Sequence, residues 1–325
     1  MAGYIVRRCL YAILILVGVN LLTFTLFFAV NSPDNIARLN IGGKRVTAEA
    51  IEKWKAEHSY DKPFWFNAAE TGARKITNTI FHDRSLRLFT LDFGSSDSGR
   101  DIRHEVGTRI QASLALAAPM LVLTVFVSIA FSLLLVFFRA SYLDFWGTVL
   151  CVVMMSISSL FYIIMAQWLF GKTLRLVPLS GFVPGLDLFK FLALPLVVGI
   201  VFQLGSEARL FRAMLLEEAS KDYVRTAHSK GLSDRKVLYK HVLRNALIPI
   251  VALGGLYVVV LIGSSVMVEI VFSRPGLGKL LVGAIKQRDY TTLQSVMVFY
   301  AFMVVVFNLI TELAYGLVDP RIKYN

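Results

Sequence analysis

Cysteine is almost missing from this chain, with 2 in 325 residues. Cys9 opens one apolar stretch and Cys151 lies inside another, so no disulfide framework determines the fold and both read as small packing residues. Histidine is sparse as well, and His58, His82, His104, His228 and His241 form no pair at metal-ligand spacing. Neither His-Glu-x-x-His nor Gly-x-Ser-x-Gly occurs, so a catalytic metal or an activated nucleophile has no support. Gly94 and Gly99 have the spacing of a phosphate loop, but Arg100-Asp101 follow where Lys-Ser/Thr is required, and the stretch reads as an ordinary loop. No small-residue cleavage site follows the first apolar run. Asn31-Ser32-Pro33 stands there instead, and the run itself is too long for the core of a signal peptide, so this segment is expected to stay in the protein.

Charge is the most informative absence. Only 17% of residues are Asp, Glu, Lys or Arg against 56% hydrophobic, and none of the four occurs in the blocks 10–30, 112–138, 145–171, 191–206, 246–268 and 290–311. A mean hydropathy of +0.63 with charge confined between apolar blocks excludes a soluble domain and points to a membrane as solvent. The net charge of +12 does not indicate nucleic acid, because the basic residues flank apolar spans rather than lining a soluble face with interleaved aromatics. A helix needs roughly 20 residues to cross the hydrocarbon core. Five blocks reach this unaided, and 191–206, interrupted by Pro195 and Gln203, must continue through Ser206-Glu207-Ala208. Glu207 and Arg209 would then lie at the membrane surface or face protein. The expected fold is therefore all-α and membrane-integral, with six transmembrane helices.

Orientation follows from Lys and Arg in the short loops. With the amino terminus inside, the inner segments hold Arg7, Arg8, Arg139, the basic residues from Arg209 to Arg244, Arg321 and Lys323, 14 in all. The outer short loops hold Lys172, Arg175, Lys190, Arg274, Lys279, Lys286 and Arg288, half as many. Both termini and the loop 207–245 are thus expected in the cytoplasm. The organisation reads as 1–30, amino terminus and span 1; 31–111, an extracytoplasmic insertion; and 112–325, a core with five spans. The insertion carries 13 basic and 11 acidic residues with aromatics such as Phe64 and Trp65, which suits a small folded element rather than a solvated linker.

The inner loop holds the strongest local signal. Its run from Leu216 to Ser229 reads as helix, Gly231 suits a left-handed C-terminal position, and Ser233 or Asp234 can cap the helix that follows to Arg244. A short charged helix fixed between two spans by a glycine would serve as a knob for a partner's socket. Composition alone favours a solvated basic loop beside anionic lipid.

The residues Asp222-Tyr223-Val224-Arg225-Thr226-Ala227, Lys230-Gly231-Leu232-Ser233, Val237-Leu238, His241, Leu243-Arg244-Asn245-Ala246-Leu247 and Pro249 resemble the cytoplasmic loop of dipeptide/oligopeptide/nickel importer permeases of the ATP-binding-cassette class. In the general importer motif Glu-Ala-Ala-x3-Gly is followed by Ile-x-Leu-Pro. Here Ala227 and Gly231 match, Arg225-Thr226 replace Glu-Ala, and Leu243-Arg244 replace Leu-Pro, a pattern similar to the first of that family's two permease subunits. The resemblance extends to Tyr4-Ile5-Val6-Arg7-Arg8, to Val177-Pro178-Leu179-Ser180-Gly181-Phe182, to Glu269 through Leu281 with Arg288-Asp289-Tyr290, and to Leu317-Val318-Asp319-Pro320-Arg321-Ile322-Lys323-Tyr324. Asn31-Ser32-Pro33-Asp34 replaces the family's Pro-Gly-Asp-Pro-type turn, and 35–60 matches little.

The resemblance implies a type I importer permease fold in a bacterial inner membrane. It also implies a second homologous permease subunit, two ATP-binding subunits that hold ATP and Mg, and an extracytoplasmic solute-binding protein; this chain itself would hold no cofactor and hydrolyse nothing. Asp222, Tyr223, Arg225, Thr226, Ala227, Lys230, Gly231, Leu232 and Ser233 become the ATPase-coupling residues, within a coupling helix of about 221–235. Peptides are the implied cargo, with nickel, heme, sugars and antimicrobial peptides as alternatives. Two other classes stand against this reading. An ion-gradient carrier predicts mid-span carboxylates and an internal repeat, and a membrane scaffold predicts no transport path. Glu269 and Glu312, at span ends, are expected to snorkel or to pair with Arg274 or Arg321. Gly254-Gly255 and Gly263-Ser264-Ser265 are expected to allow close helix approach.

Overall fold

The computed structural model describes residues 2–42, 46–90, 92–181, 185 and 187–318; Phe182, the ending 319–325 and the two basic residues counted there, Arg321 and Lys323, lie outside them. The described residues form helices and turns with no strand beyond an isolated bridge between Ser95 and Asp101. Helix α1 spans Ala2–Phe24 and ends in a π turn, Thr25–Ala29. Four short helices follow: α2 Pro33–Ile41, α3 Ala48–Glu57, α4 Arg74–Thr77 and α5 Ile80–Arg84. The longer elements are α6 Ile102–Phe137, α7 Tyr142–Ser156, α8 Ser159–Ala166 with the π segment Gln167–Thr173, and α9 Leu188–Ala219. Next come α10 Asp222–Ser229, α11 Asp234–Val237 with the π segment Leu238–Leu243, and α12 Arg244–Ala252. Last are α13 Gly254–Val271, α14 Leu277–Gln287 and α15 Tyr290–Val318.

Among the described residues, four single helical stretches are long and apolar enough to cross a membrane: Val6–Phe28, Ile102–Phe137, Leu188–Ala219 and Tyr290–Leu313. The block 145–171, expected to be one span, is two helices bent by 93° between Ser156 and Ser159, which together are long and apolar enough to count as one broken span. Side-chain hydroxyls bond backbone carbonyls in the last turns of α7 before the break. Ser156 Oγ donates to Val152 O at 2.8 Å and Tyr162 Oη to Met154 O at 3.1 Å, while Ile157 and Ser158 are extended. The short fourth block does continue past its charges, as one helix. Glu207 on α9 is buried against protein, where its Oε2 accepts from Ser128 Oγ at 3.2 Å, and Arg209 is exposed.

The chain packs as two compact units. One comprises the described residues of 2–111 with 277–306. Its short helices start on hydroxyl caps: Ser32 accepts from Asn35 N, Thr47 from Ala50 N and Thr79 from His82 N, each at 3.2–3.3 Å. Ile36, Tyr60 and Ile80 close over Phe24 of α1 and Phe28 of the π turn after it. Polar bridges tie this cluster to α15. Asn20 Nδ2 donates to Ser85 O at 3.0 Å and Gln294 Nε2 to Asn20 Oδ1 at 2.9 Å. Tyr60 Oη and Thr291 Oγ1 both donate to Asp97 Oδ1, at 3.1 and 3.0 Å, with Arg84 above the Tyr60 ring at 4.9 Å. Burial pushes both the Tyr60 phenol and the Asp97 carboxyl up, and the Asp289 charge adds to the shift at Asp97 while Arg84 opposes it.

The other unit comprises 112–276 with the described residues of 307–323. One core joins Leu116 and Met120 of α6, Ile163 of α8, Leu192, Leu194 and Val198 of α9, and Val268 with Phe272 at the end of α13. Helices α7 and α9 approach so closely at Gly205 that an added Cβ would lie 2.7 Å from the Cys151 carbonyl oxygen. Gly254 and Gly255 lie against Thr311 and Asn308 of α15, whereas Gly263 meets nothing within 4 Å. Ser265 is buried. The end of α13 is closed by polar contacts. Glu269, 1% exposed, accepts from Ser113 Oγ at 2.6 Å, and Arg274, fully buried within its electrostatic reach, donates to Phe191 O at 3.2 Å. Gly276 sits where any Cβ would fall 2.2 Å from that carboxylate. Glu269 therefore faces protein rather than snorkelling.

Candidate functional site

The site is the segment between α9 and α12. Its local structure follows from where its apolar residues fall. On α10, Val224 and Ala227 are three residues apart and buried, Tyr223 is half-buried, and Asp222, Arg225, Thr226, His228 and Ser229 are exposed. The buried side enters a cluster with Leu133 and Val136 of α6, Leu215 of α9, and Val237, Leu238, Val242 and Ala246 beyond the loop. A helix of 8 residues has no stability of its own; it persists because this cluster holds it.

Its end is set by Gly231. At φ +78° the Gly231 N–H reaches His228 O at 2.8 Å and the Leu232 N–H reaches Ala227 O at 3.4 Å, the paired bonds of a Schellman motif. Leu232 then turns back into the cluster against Ala227. Ser233 occupies the N-cap of α11 in extended conformation, but its side chain makes no capping bond. Asp234 does not cap either; its Oδ1 lies 3.2 Å from His228 Nε2, and the ring's Nδ1 lies 3.0 Å from Val224 O. This imidazole links α10 to α11 across the glycine. Continuation to Arg244 runs through the π segment rather than a uniform α-helix.

The start is braced too. Lys221 pairs with Glu218, and Tyr223 Oη donates to Glu218 Oε1 at 2.9 Å. Burial pushes the Tyr223 phenol up to about 12, with Asn245 opposing and Glu218 adding, so the hydroxyl remains a donor at physiological pH. Arg235 lies over the Phe137 ring at 5.7 Å, tying α11 to the end of α6.

The nine residues singled out from the sequence thus divide. Tyr223, Ala227 and Leu232 point inward as anchors, Gly231 and Ser233 shape the turn, and Asp222, Arg225, Thr226 and Lys230 lie on the outer face. Asp222 and Arg225 are 97% and 80% exposed at 3.7 Å from each other, an ion pair worth little in water and easily exchanged for other partners. Sequence reasoning passed over Val224 as an anchor, the His228 link and the α6 residues beneath the loop. The spacing of Val224, Ala227 and His228 carried a signal for the first two; the packing onto Leu133 and Val136 is non-local and carried none.

These features define an all-helical, membrane-crossing protein that presents a short charged helix on a packed base. Residues 128–324 match the family described as binding-protein-dependent transport system inner membrane component, and residues 1–85 match the N-terminal family of the same membrane components. The chain belongs to this family: it is the membrane-embedded permease component of a binding-protein-dependent importer of the ATP-binding-cassette class. It is 33% identical over the full length of both chains to a peptide transport system permease protein of Brucella abortus (strain 2308). It is 31% identical, again over 100% of each chain, to the oligopeptide transport system permease protein AppB of Bacillus subtilis (strain 168). Identity to the dipeptide transport system permease protein DppB of the same organism is also 31%, over 99% of this chain and 98% of the relative.

Proposed function

We propose that this chain is one of two non-identical permease subunits of an ATP-driven peptide importer, and that α10 with Gly231 and α11 is its coupling element. Peptide cargo is supported by the names of the relatives matched along their whole length. Six spans, with the bent α7–α8 pair as the third and α12–α13 as the fifth, put both termini and the loop 207–245 in the cytoplasm. The segment 31–111 then faces the side from which a solute-binding protein delivers cargo. Two ATP-binding subunits sit beneath and hold the ATP and Mg. Their closure moves α10, and because Val224 and Ala227 fix α10 to α6, α9 and the base of α12, the displacement passes to the spans instead of being absorbed by a flexible loop.

The observation that carries this reading is the combination in one 8-residue helix of a buried Val224/Ala227 face and a fully exposed Asp222/Arg225 face. The test is uptake of a labelled peptide mixture by proteoliposomes containing this chain, its partner permease, the ATPase subunits and the binding protein. Accumulation that requires both ATP and the binding protein is expected. Uptake that follows an imposed ion gradient without ATP would instead identify an ion-coupled carrier, and absence of any associated ATPase would leave only a scaffold.

A further inference from the structure

A second site lies beside the coupling core, where α6 turns into α7 and Arg212 stands one turn before Leu215 on α9. Arg139, Ala140 and Ser141 make this turn, with Ala140 at φ +63°. Asp144 holds it shut: its carboxylate accepts from Ala140 N at 3.1 Å and takes a two-pronged bond from Arg212 of α9, Nε at 2.8 Å and Nη2 at 2.7 Å. Beside this pair opens a cavity of about 400 Å3, lined by Ala140, Ser141, Asp144, Phe145, Thr148 and Arg212.

One arginine and one carboxylate line the cavity, Arg212 and Asp144, and two further arginines stand near it in the chain, Arg139 next to Ala140 and Arg209 one turn before Arg212. Arg212 forms its wall, Arg139 acts electrostatically on Asp144, and Arg209, three residues before Arg212 on α9, acts with it on Cys151 of α7. Arg139 and Arg209 are exposed and Asp144 already has its cation, so the local field stays positive and open to an anion. Phe145, 61% exposed, lines the cavity, and the same first turns of α7 carry Tyr142 and Trp146, 87% and 64% exposed, on another face of the helix. Amphipathic rings with adjacent arginines at a helix end mark the headgroup level of a bilayer. A soluble anion would have no use for the apolar wall at Phe145, whereas a lipid fills both parts, its phosphate in the cavity and its chains along Phe145.

We propose that this cavity binds the phosphate headgroup of an anionic phospholipid and thereby braces the α6–α7 turn against α9, the helix that leads directly into α10. The binding depends neither on cargo nor on the ATPase subunits, so its failure would leave the transport reading untouched.

The full-length chain, purified in mild detergent with equal amounts of phosphatidylglycerol and phosphatidylcholine, is examined by native mass spectrometry for retained lipid. A basic side chain at an anionic membrane surface contributes roughly fivefold to binding. Arg139→Gln/Arg209→Gln should therefore lower the phosphatidylglycerol preference by about tenfold or more, and Arg139→Lys/Arg209→Lys should keep most of it. Lys172→Gln/Arg175→Gln, distant along the chain, should change nothing, and millimolar inorganic phosphate should not compete. The proposal is overturned if the wild type retains both lipids equally, if the Gln pair keeps the preference, if the distant pair loses it as well, or if phosphate abolishes it, since a soluble-anion site is then present. Each variant is first checked by circular dichroism and size exclusion, and a misfolded Gln pair is replaced by the two single variants.

Discussion

Substitutions at Gly231 separate conformation from sterics, because a Cβ built there meets nothing within 4 Å. Gly231→Ala therefore adds no clash and introduces only the strain of a left-handed backbone, about 1–2 kcal/mol for an L-residue. Asn, which tolerates this conformation better, should lie below that. Gly231→Pro differs in kind. Its ring locks φ near −65° against the observed +78°, and it removes the N–H that reaches His228 O at 2.8 Å. With that bond lost and Leu232 redirected from the cluster it packs against, α10 loses its terminus, a combined penalty of about 3 kcal/mol or more. A helix held only by tertiary packing does not survive that locally. In the reconstituted assembly, substrate-stimulated ATP hydrolysis should rank wild type, Asn, Ala and Pro in descending order. Pro should remove the stimulation while the chain still inserts in the membrane. If Gly231→Pro is stimulated as strongly as wild type, the left-handed turn is irrelevant to coupling and the reasoning fails.

Two further outcomes follow from packing and charge. Gly205→Ala places a methyl 2.7 Å from the Cys151 backbone oxygen, which cannot move without shifting α7, so a loss of roughly 1–3 kcal/mol is expected. Gly255→Ala meets the Asn308 side chain, its amide oxygen nearest and Cγ at 3.1 Å, which can turn to another rotamer where a backbone oxygen cannot, and should be milder; thermal aggregation in detergent ranks the two, and equal losses would contradict the close α7–α9 approach. Burial alone would raise the Asp83 carboxyl, but Lys62 at 2.5 Å and His82 outweigh it and hold it below the usual carboxylate range. A depressed carboxylate adds stability above its unfolded value near 3.8 that is lost as pH falls through the folded value. Melting temperatures should thus drop below about pH 4 in the wild type. Asp83→Asn should be less stable at neutral pH with a flatter acid limb, and an unchanged limb would remove this pair from the account.

Charge-free blocks revealed the helical membrane character because a charge in lipid is expensive enough to be avoided. The same rule was blind within a block. The 93° bend between Ser156 and Ser159 is made with serine hydroxyls and Tyr162, none of which interrupts an apolar run. Grouping of residues 277–306 with the amino-terminal part of the chain rests on contacts such as Leu277 and Leu280 with Ile102 and Val106, far apart in sequence. Gly231 was legible because only glycine readily takes the conformation that ends α10. Glu207 was legible as a charge that must be sheltered, but not its partner, since Ser128 is 79 positions away.

The most direct test of the central claim is a cross-link from the outer face of α10. Asp222→Cys, whose parent side chain is 97% exposed, is introduced into the assembled importer in native membranes and treated with a short thiol-to-amine reagent. The account predicts a covalent adduct between this chain and the ATP-hydrolysing subunit, weakened when Gly231→Pro is combined with it. An Asp222→Cys chain that never links to that subunit, while a cysteine elsewhere in the loop or in 31–111 does, would contradict it.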